Sequence, residues 1–168
     1  RLSETDAFKK GEIYIQDPSS MLPVLVLNEY FYGGRVLDMC ADPGSKTTQL
    51  AESVRTSSIT AVEKDRKRFY ILSEIMDKYT DGNVTLMNAD ARQLSKRHPA
   101  LMNSYDAILL DAPCSSEGRL YFSEDESFTY WNTKKEKEMS GKQTGLINAA
   151  YDLLKPGGVL LYSGFRFE

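Results

Sequence analysis

The stretch RVLDMCADPGSKTTQLAESV, residues 35–54, indicates how this chain folds. It opens with a short, mostly apolar run that is typical of a strand buried in a parallel sheet. A tight turn follows at Pro43 and Gly44, where a glycine allows a ligand to approach the backbone closely. The residues from Lys46 onward have the composition of a helix. Strand, turn and helix in this order predict the first unit of an α/β fold.

The same alternation continues along the chain. Apolar runs predict further strands at residues 58–63, 84–90, 107–113 and 158–163. Amphipathic segments predict helices at residues 46–54, 66–79, around 89–97 and 135–155, the last ending at Pro156-Gly157-Gly158. Another helix is predicted after DPSS, with Ser19 or Ser20 as its N-cap. The pattern predicts an open, doubly wound, Rossmann-like parallel sheet in a single domain, residues 1–168, with an N-terminal motif and helix at 1–33 and the core at 34–168.

Composition excludes several classes of protein. The chain has 168 residues, 41% of them hydrophobic, and a net charge of −3, so it carries no overall cationic field that would attract nucleic acid. No apolar run is long enough to cross a membrane and no signal peptide is recognisable, so we expect an intracellular protein, cytoplasmic or nuclear, without a membrane partner. Cys40, Cys114 and His98 are the only cysteines and histidine, so neither a disulfide framework nor a metal site is expected.

Four of the predicted strands end in a carboxylate. These acids are Asp38, Glu63, Asp90 and Asp111. The carboxyl ends of parallel strands meet at one edge of the sheet, where ligands bind in doubly wound folds. Unpaired acids there are costly unless they are solvated or bound, so the four together favour a ligand site.

The ligand implied by these acids is S-adenosylmethionine rather than a polyphosphate. Ser45 stands where a Walker loop needs its second glycine, and no dinucleotide fingerprint is present. An acid after the second strand suits a ribose diol. An acid after the third strand suits an adenine amino group, and acids near the first and fourth strands suit a cationic amine or sulfonium.

Five motifs in order resemble those of the Sun/Fmu family of RNA cytosine-5 methyltransferases. They are GEIYIQDPSSMLPVLVL, LDMCADPGSKTTQLAE, AVEKDRKRF, NADAR and DAPCSSEG. The resemblance implies a class I methyltransferase fold, the cofactor S-adenosyl-L-methionine, and methyl transfer to carbon 5 of cytosine in ribosomal or transfer RNA. It implies cofactor contacts from Cys40, Ala41, Asp42, Pro43, Gly44, Ser45, Lys46, Glu63, Asp90 and Asp111.

The resemblance also assigns Cys114 and Asp111 to catalysis. In such enzymes a thiolate adds to carbon 6 of cytosine, which makes carbon 5 nucleophilic enough to take the methyl group. One cysteine, in a Thr-Cys pair after the fifth strand, forms the covalent bond, and the Pro-Cys cysteine assists release. Cys114 matches the release cysteine. A thiolate there needs a local positive field.

One departure from the family pattern is serious. The chain reads Ser163-Gly164-Phe165 where the Thr-Cys pair is expected, and it stops at Glu168 before the last two strands of a methyltransferase sheet. We therefore expect an exposed fifth strand, which a protein partner or a missing domain would cover. Three alternatives stay open: a methyltransferase with impaired turnover, an active enzyme in which Cys114 is the nucleophile, and a pseudoenzyme that binds cofactor or RNA.

RNA contacts are weakly encoded. The run LYFSEDESFTYW, residues 120–131, is aromatic, so its rings are expected either to stack on an unstacked base or to pack on the domain. Two basic clusters could hold phosphates or could be solvated surface: Lys134, Lys135 and Lys137, and Lys64, Arg66, Lys67 and Arg68.

Overall fold

The core of the molecule is a five-stranded parallel sheet. In a computed structural model of the chain, the structure describes residues 1–53, 56–114 and 133–164. The strands are β1 (Gly34–Asp38), β2 (Thr56–Glu63), β3 (Val84–Asn88), β4 (Tyr105–Asp111) and β5 (Leu154–Ser163). They run in the order β3-β2-β1-β4-β5, and every neighbouring pair is parallel. The predicted doubly wound fold is confirmed.

Helices cover both faces of this sheet. They are α1 (Asp6–Lys9), α2 (Pro18–Tyr30), α3 (Ser45–Ala51), α4 (Arg66–Tyr79), α5 (Leu94–Arg97) and α6 (Thr133–Leu153), with 3₁₀ turns at Leu2–Glu4, Ala91–Gln93 and Pro99–Leu101. Core residues of α2, α3 and α4 pack on one face, and those of α5 and α6 pack on the other. Within the described residues, no helix is both long and apolar enough to span a membrane.

Strand β4 explains why the central strands are continuously apolar. Ala107 and Leu109 pack in the cluster under α2, whereas Ile108 and Leu110 pack in the cluster under α6. All four side chains are fully buried. A strand covered on both faces has no solvent-exposed side, so the two-residue alternation of polar and apolar positions disappears.

The N-cap of α2 differs from the expectation. Asp17, rather than Ser19 or Ser20, caps the helix, because its carboxylate accepts hydrogen bonds from the backbone N–H and the hydroxyl of Ser19 at 2.8 and 2.5 Å. Pro18 then occupies the first helical position, where the missing N–H costs nothing. The N-cap in the sequence D-P therefore lies two or three residues earlier than expected.

The end of α6 also differs from the expectation. The helix ends at Leu153, and β5 begins at Leu154, so Pro156-Gly157-Gly158 lies inside the strand instead of terminating the helix. The register shifts there, since Tyr105 pairs with Leu154 and Ala107 pairs with Val159. Three extra residues thus bulge from β5.

The strand β5 forms one edge of the sheet. It pairs with β4, and no other strand within the described ranges pairs with it. That another domain or a protein partner covers this edge stays a prediction.

Candidate cofactor and catalytic site

A cavity of about 600 Å³ lies at the carboxyl ends of the strands. This volume falls in the range of roughly 300–1,000 Å³ that is usual for small-molecule sites. The predicted site residues that line it are Cys40, Asp42, Glu63, Asp90, Asp111 and Cys114. Four strand ends therefore converge on one cavity, at the edge where the topology predicts a ligand.

The loop between β1 and α3 contributes less to the cavity than expected. Of its residues, Ala41, Pro43, Gly44, Ser45 and Lys46 do not line the cavity. Ala41 packs instead with Leu72 and Met76 of α4.

The role of Gly44 differs from the expectation. A Cβ at this position, which has a φ of +121°, would lie 3.1–3.2 Å from side-chain atoms of Leu72, Ile75 and Met76. The glycine therefore allows α3 and α4 to pack closely, and its missing side chain leaves room for α4 rather than for a ligand.

The N-terminal segment holds this loop in place. The hydroxyl of Tyr14 lies 3.1 Å from Oγ of Ser45, and the side-chain amide of Gln16 donates to the carbonyl of Ser45 at 2.5 Å. Both residues belong to the first of the five motifs, although the sequence assigned neither of them a role.

Asp111 is held by two partners. The Lys46 ammonium lies 2.6 Å from Oδ2, and the hydroxyl of Ser163 donates to Oδ1 at 2.6 Å. Beyond it, the side-chain amide of Gln143 donates to the carbonyl of Pro113 at 3.0 Å. Helix α3, strand β5 and helix α6 thus each hold the segment that leads to Cys114. Lys46 contacts this catalytic candidate, although it does not line the cavity.

The two thiols occupy different surroundings. Cys40 is largely enclosed, and burial raises its pKa to about 12, with a further contribution from carboxylates that include Asp38 and Glu63. Cys40 is therefore a neutral thiol and a poor nucleophile. Cys114 lines the same cavity as Cys40, is partly exposed, and follows Asp111 by three residues on the loop after β4.

Asp38 differs from the other strand-end acids because it does not line the cavity. Its side chain is almost completely buried, and burial raises its pKa to about 6. The hydroxyl of Thr47 donates to Oδ2 at 2.7 Å, while Oδ1 has no hydrogen-bond partner within the described residues. The expectation that all four acids face a ligand is therefore wrong for Asp38, which links β1 to α3.

Glu63 and Asp90 line the cavity in opposite electrostatic environments. Burial raises the pKa of Glu63, although the backbone N–H of Asp65 donates to its carboxylate at 2.6 Å. The pKa of Asp90 is held far below its ordinary value, chiefly by hydrogen bonds from the Arg92 side chain and then by Lys64. Both acids are in place for polar contacts with a ligand.

Basic side chains form part of the cavity lining that the sequence did not assign to it. Lys64, Arg66 and Arg68 line it, and so does Arg92. Arg68 lies 3.5 Å from the carboxylate of Asp42. The basic cluster after β2 is therefore partly neutralised by cavity acids. The aromatic run, residues 120–131, and Phe165 lie outside the described residues, and so do the side chains of Lys134 and Lys135.

The sequence of this chain matches one protein family over most of its length. A sequence model described as "16S rRNA methyltransferase RsmB/F" matches residues 25–166. The chain belongs to the RsmB/F family.

Bacterial proteins are among the curated relatives of this RsmB/F-family chain. Ribosomal RNA small subunit methyltransferase F of Erwinia tasmaniensis is 39% identical, and the alignment covers 96% of this chain and 34% of that protein. The chain thus spans about a third of the length of the curated relatives it matches.

Two solved structures with the same architecture are proteins of Pyrococcus horikoshii. NSun6, solved with SFG, has a TM-score of 0.80 at 33% identity and covers 100% of this chain and 42% of that one. A methyltransferase homolog has a TM-score of 0.78 at 32% identity, covering 98% and 50%.

Proposed function

We propose that this chain binds S-adenosyl-L-methionine and transfers its methyl group to carbon 5 of a cytosine in RNA. Ribosomal RNA is the preferred substrate, because the curated relatives are named for the small ribosomal subunit. Transfer RNA is the second choice. The proposal places the protein in the cytoplasm, where a bacterial ribosome is made. The observation that carries it is the position of Cys114 and Asp111 on the same cavity as Glu63 and Asp90.

The residues present fit the proposed cofactor. Glu63 offers a carboxylate to a ribose diol, and Asp90 offers one to an adenine amino group. The acids also oppose formation of a thiolate at Cys40, so this cysteine does not compete for the methyl group. NSun6 of Pyrococcus horikoshii, which has the same architecture, was solved with the ligand SFG.

The chemistry at the other end of the cavity depends on a thiol. The sulfur of Cys114, as thiolate, would bond to carbon 6 of cytosine and shift an electron pair to carbon 5. Carbon 5 would then take the methyl group, leaving S-adenosylhomocysteine. Loss of the carbon 5 proton to a base returns the electron pair and expels the thiolate.

Asp111 and Lys46 stand beside this reaction. Their contact of 2.6 Å puts a positive charge next to the segment that carries Cys114. Because Lys46 does not line the cavity, it would act through Asp111, by holding this carboxylate in place next to the Cys114 segment.

A second candidate function is cofactor binding without turnover. It is favoured by Phe165, which stands in the sequence where the family places its covalent nucleophile. Under this alternative Cys114 alone does not sustain addition to cytosine, and the protein acts through a partner.

Transfer of labelled methyl from S-adenosylmethionine to unmodified RNA tests the proposal. The parent is compared with Cys114→Ser and with the double variant Gly164→Thr with Phe165→Cys, on ribosomal and on transfer RNA. Label in 5-methylcytosine that disappears in Cys114→Ser is the result expected if one thiol suffices. Label only in the double variant would show that the site is intact but that turnover needs the second thiol.

Cofactor binding, measured by calorimetry on the same three proteins, separates the alternatives. Binding without label in any variant supports the second candidate. Absence of both binding and label overturns the proposal.

A further inference from the structure

The carboxylate of Asp90 is fully occupied by protein donors. The Arg92 side chain donates from Nε to Oδ1 at 2.9 Å and from Nη2 to Oδ2 at 2.6 Å. The backbone N–H of Arg92 donates to Oδ1 at 3.1 Å, and the Lys64 ammonium lies 2.9 Å from Oδ2. A carboxylate has about four acceptor positions, so a ligand that donates to Asp90 must displace one of these groups.

Two of these donors are held very differently. The side chain of Arg92 is 32% exposed and makes a two-point contact, whereas that of Lys64 is 64% exposed and makes a single one. A two-point guanidinium contact fixes the plane of a carboxylate, and an ammonium on a flexible stem does not. Lys64 is therefore the donor that leaves most easily.

The position of the Arg92 side chain also depends on a glycine in α6. A Cβ on Gly145 would lie 3.2 Å from Cδ and 3.5 Å from Cγ of Arg92. A glycine inside a helix costs roughly 1 kcal/mol relative to alanine. At position 145 the glycine leaves room for the aliphatic part of the Arg92 side chain to pack against α6.

The neighbouring glycine of α6 provides a contrast. A Cβ on Gly141 would meet nothing within 4 Å. The two glycines lie four residues apart on one helix, so they share a backbone environment and differ in the presence of Arg92.

We infer that Arg92, seated against Gly145, is a positioning residue that fixes Asp90, and that Lys64 occupies the acceptor position which a purine 6-amino group takes over. The inference rests on the proposed function and deepens it by assigning how the site selects adenine. An amino group at position 6 donates to Asp90 in place of Lys64. A 6-oxo group presents an acceptor to the carboxylate and is rejected.

Binding of two ligands measures this selectivity directly. S-adenosylhomocysteine and its 6-oxo counterpart, S-inosylhomocysteine, are titrated calorimetrically into the parent chain. One hydrogen bond to a charged group corresponds to a preference for the amino ligand of about 10- to 100-fold.

The variants separate the roles of the two basic residues. Arg92→Lys keeps the charge and loses the two-point contact, so the preference is expected to fall to about 3-fold or less. Lys64→Met removes the competing donor, so affinity for the amino ligand is expected to rise about 3-fold or more while the preference is kept. Gly145→Ala is expected to reduce the preference, and the matched control Gly141→Ala is expected to leave it unchanged.

The outcomes distinguish a failure of this inference from a failure of the proposed function. A parent that binds both ligands equally overturns the inference and leaves cofactor binding standing. An unchanged preference in Arg92→Lys overturns the role of Arg92, and weaker binding in Lys64→Met shows that Lys64 is a ligand contact instead. A parent that binds neither ligand, nor S-adenosylmethionine, overturns the proposed function together with the inference. Because the preference is a ratio, a fraction of unfolded protein lowers both binding signals and leaves the ratio unchanged.

Discussion

The first and third strands of this protein each lead to an aspartate, and the two carboxylates have opposite properties. Asp38, at the end of β1, is buried with one hydrogen-bond donor, and its pKa is raised to about 6. Asp90, just after β3, is surrounded by donors from Arg92 and Lys64, and its pKa is strongly lowered. The same residue type, at or just beyond the end of a strand, is thus destabilised as an anion at Asp38 and stabilised as an anion at Asp90.

The contrast shows that burial and partners, rather than position at a strand end, decide what an acid does. Desolvation dominates at Asp38, whereas charge-assisted hydrogen bonds dominate at Asp90. Only the second arrangement leaves a carboxylate on the cavity surface. Asp38 serves the fold by accepting from Thr47 at the start of α3.

The largest expected effect concerns Asp38. Its folded pKa of about 6 lies above its ordinary value of 3.8, so its contribution to the free energy of unfolding is complete below pH 3.8 and is lost as the pH rises through about 6. The loss is about 3 kcal/mol. Asp38→Asn removes this titration, so its stability relative to the parent should rise by that amount between pH 4 and 7.

Urea unfolding of both proteins across this pH range measures the difference. Thr47→Val is the control, since it removes the hydrogen bond and keeps the acid. A difference between Asp38→Asn and the parent that does not change with pH would show that the carboxylate titrates normally.

The next effect concerns the thiol beside Asp38. With a pKa of about 12 instead of 9.0, Cys40 has about 1000-fold less thiolate at pH 8 than an ordinary cysteine. A more basic thiolate is also a stronger nucleophile, which offsets part of the effect of the lower thiolate fraction on the reaction rate. In Cys114→Ser, where Cys40 is the remaining thiol, alkylation by iodoacetamide should be about 30-fold slower in the folded protein than in urea.

Mass spectrometry of the alkylated protein over time gives both rates. The matched variant Cys40→Ser reports Cys114 under the same conditions. Equal rates for Cys40 in the folded and unfolded states would contradict the assigned environment.

A smaller effect of opposite sign is expected at Asp90. Its folded pKa is lowered, so its contribution is present above pH 3.8 and is lost as the pH falls below that value. Asp90→Asn should reduce the free energy of unfolding by about 1–2 kcal/mol at pH 7, the usual size for a partly buried charge-assisted hydrogen bond. As the pH falls, the free energy of unfolding of Asp90→Asn should approach that of the parent. Over the same change in pH, the free energy of unfolding of Asp38→Asn should fall relative to that of the parent. A loss that is the same at pH 7 and pH 3 would remove the contrast between the two acids.

The smallest effect separates the two glycines of α6. Gly141→Ala should raise the free energy of unfolding by about 0.5–1 kcal/mol, because alanine favours the helix and the added methyl meets open space. Gly145→Ala should raise the free energy of unfolding by less than this or not at all, since its methyl group presses on the aliphatic part of the Arg92 side chain. Thermal unfolding of the two variants side by side makes this comparison. Equal gains would show that Arg92 moves aside without cost.

Much of the site was visible in the sequence because its signals are local. The structure brings to one cavity six residues that lie at or just after the ends of predicted strands: Cys40, Asp42, Glu63, Asp90, Asp111 and Cys114. Arg92 was within a quoted motif but had no assigned role, since a contact with Asp90 depends on side-chain direction. Ser163 and Gln143 hold the Cys114 segment from residues more than 25 positions away, and no sequence spacing indicates such contacts.

The sequence by itself determined the parallel α/β fold, its strand order along the chain and its family, because apolar runs, turn residues and motif order are properties of neighbouring residues. Tertiary structure alone decided that Asp38 is enclosed while Asp90 is paired, and that Gly44 makes room for α4 while Gly145 makes room for Arg92. The physical reason is that burial and hydrogen-bond partners come from elements distant in the chain. Their effects on a carboxylate or a glycine are set only when those elements pack.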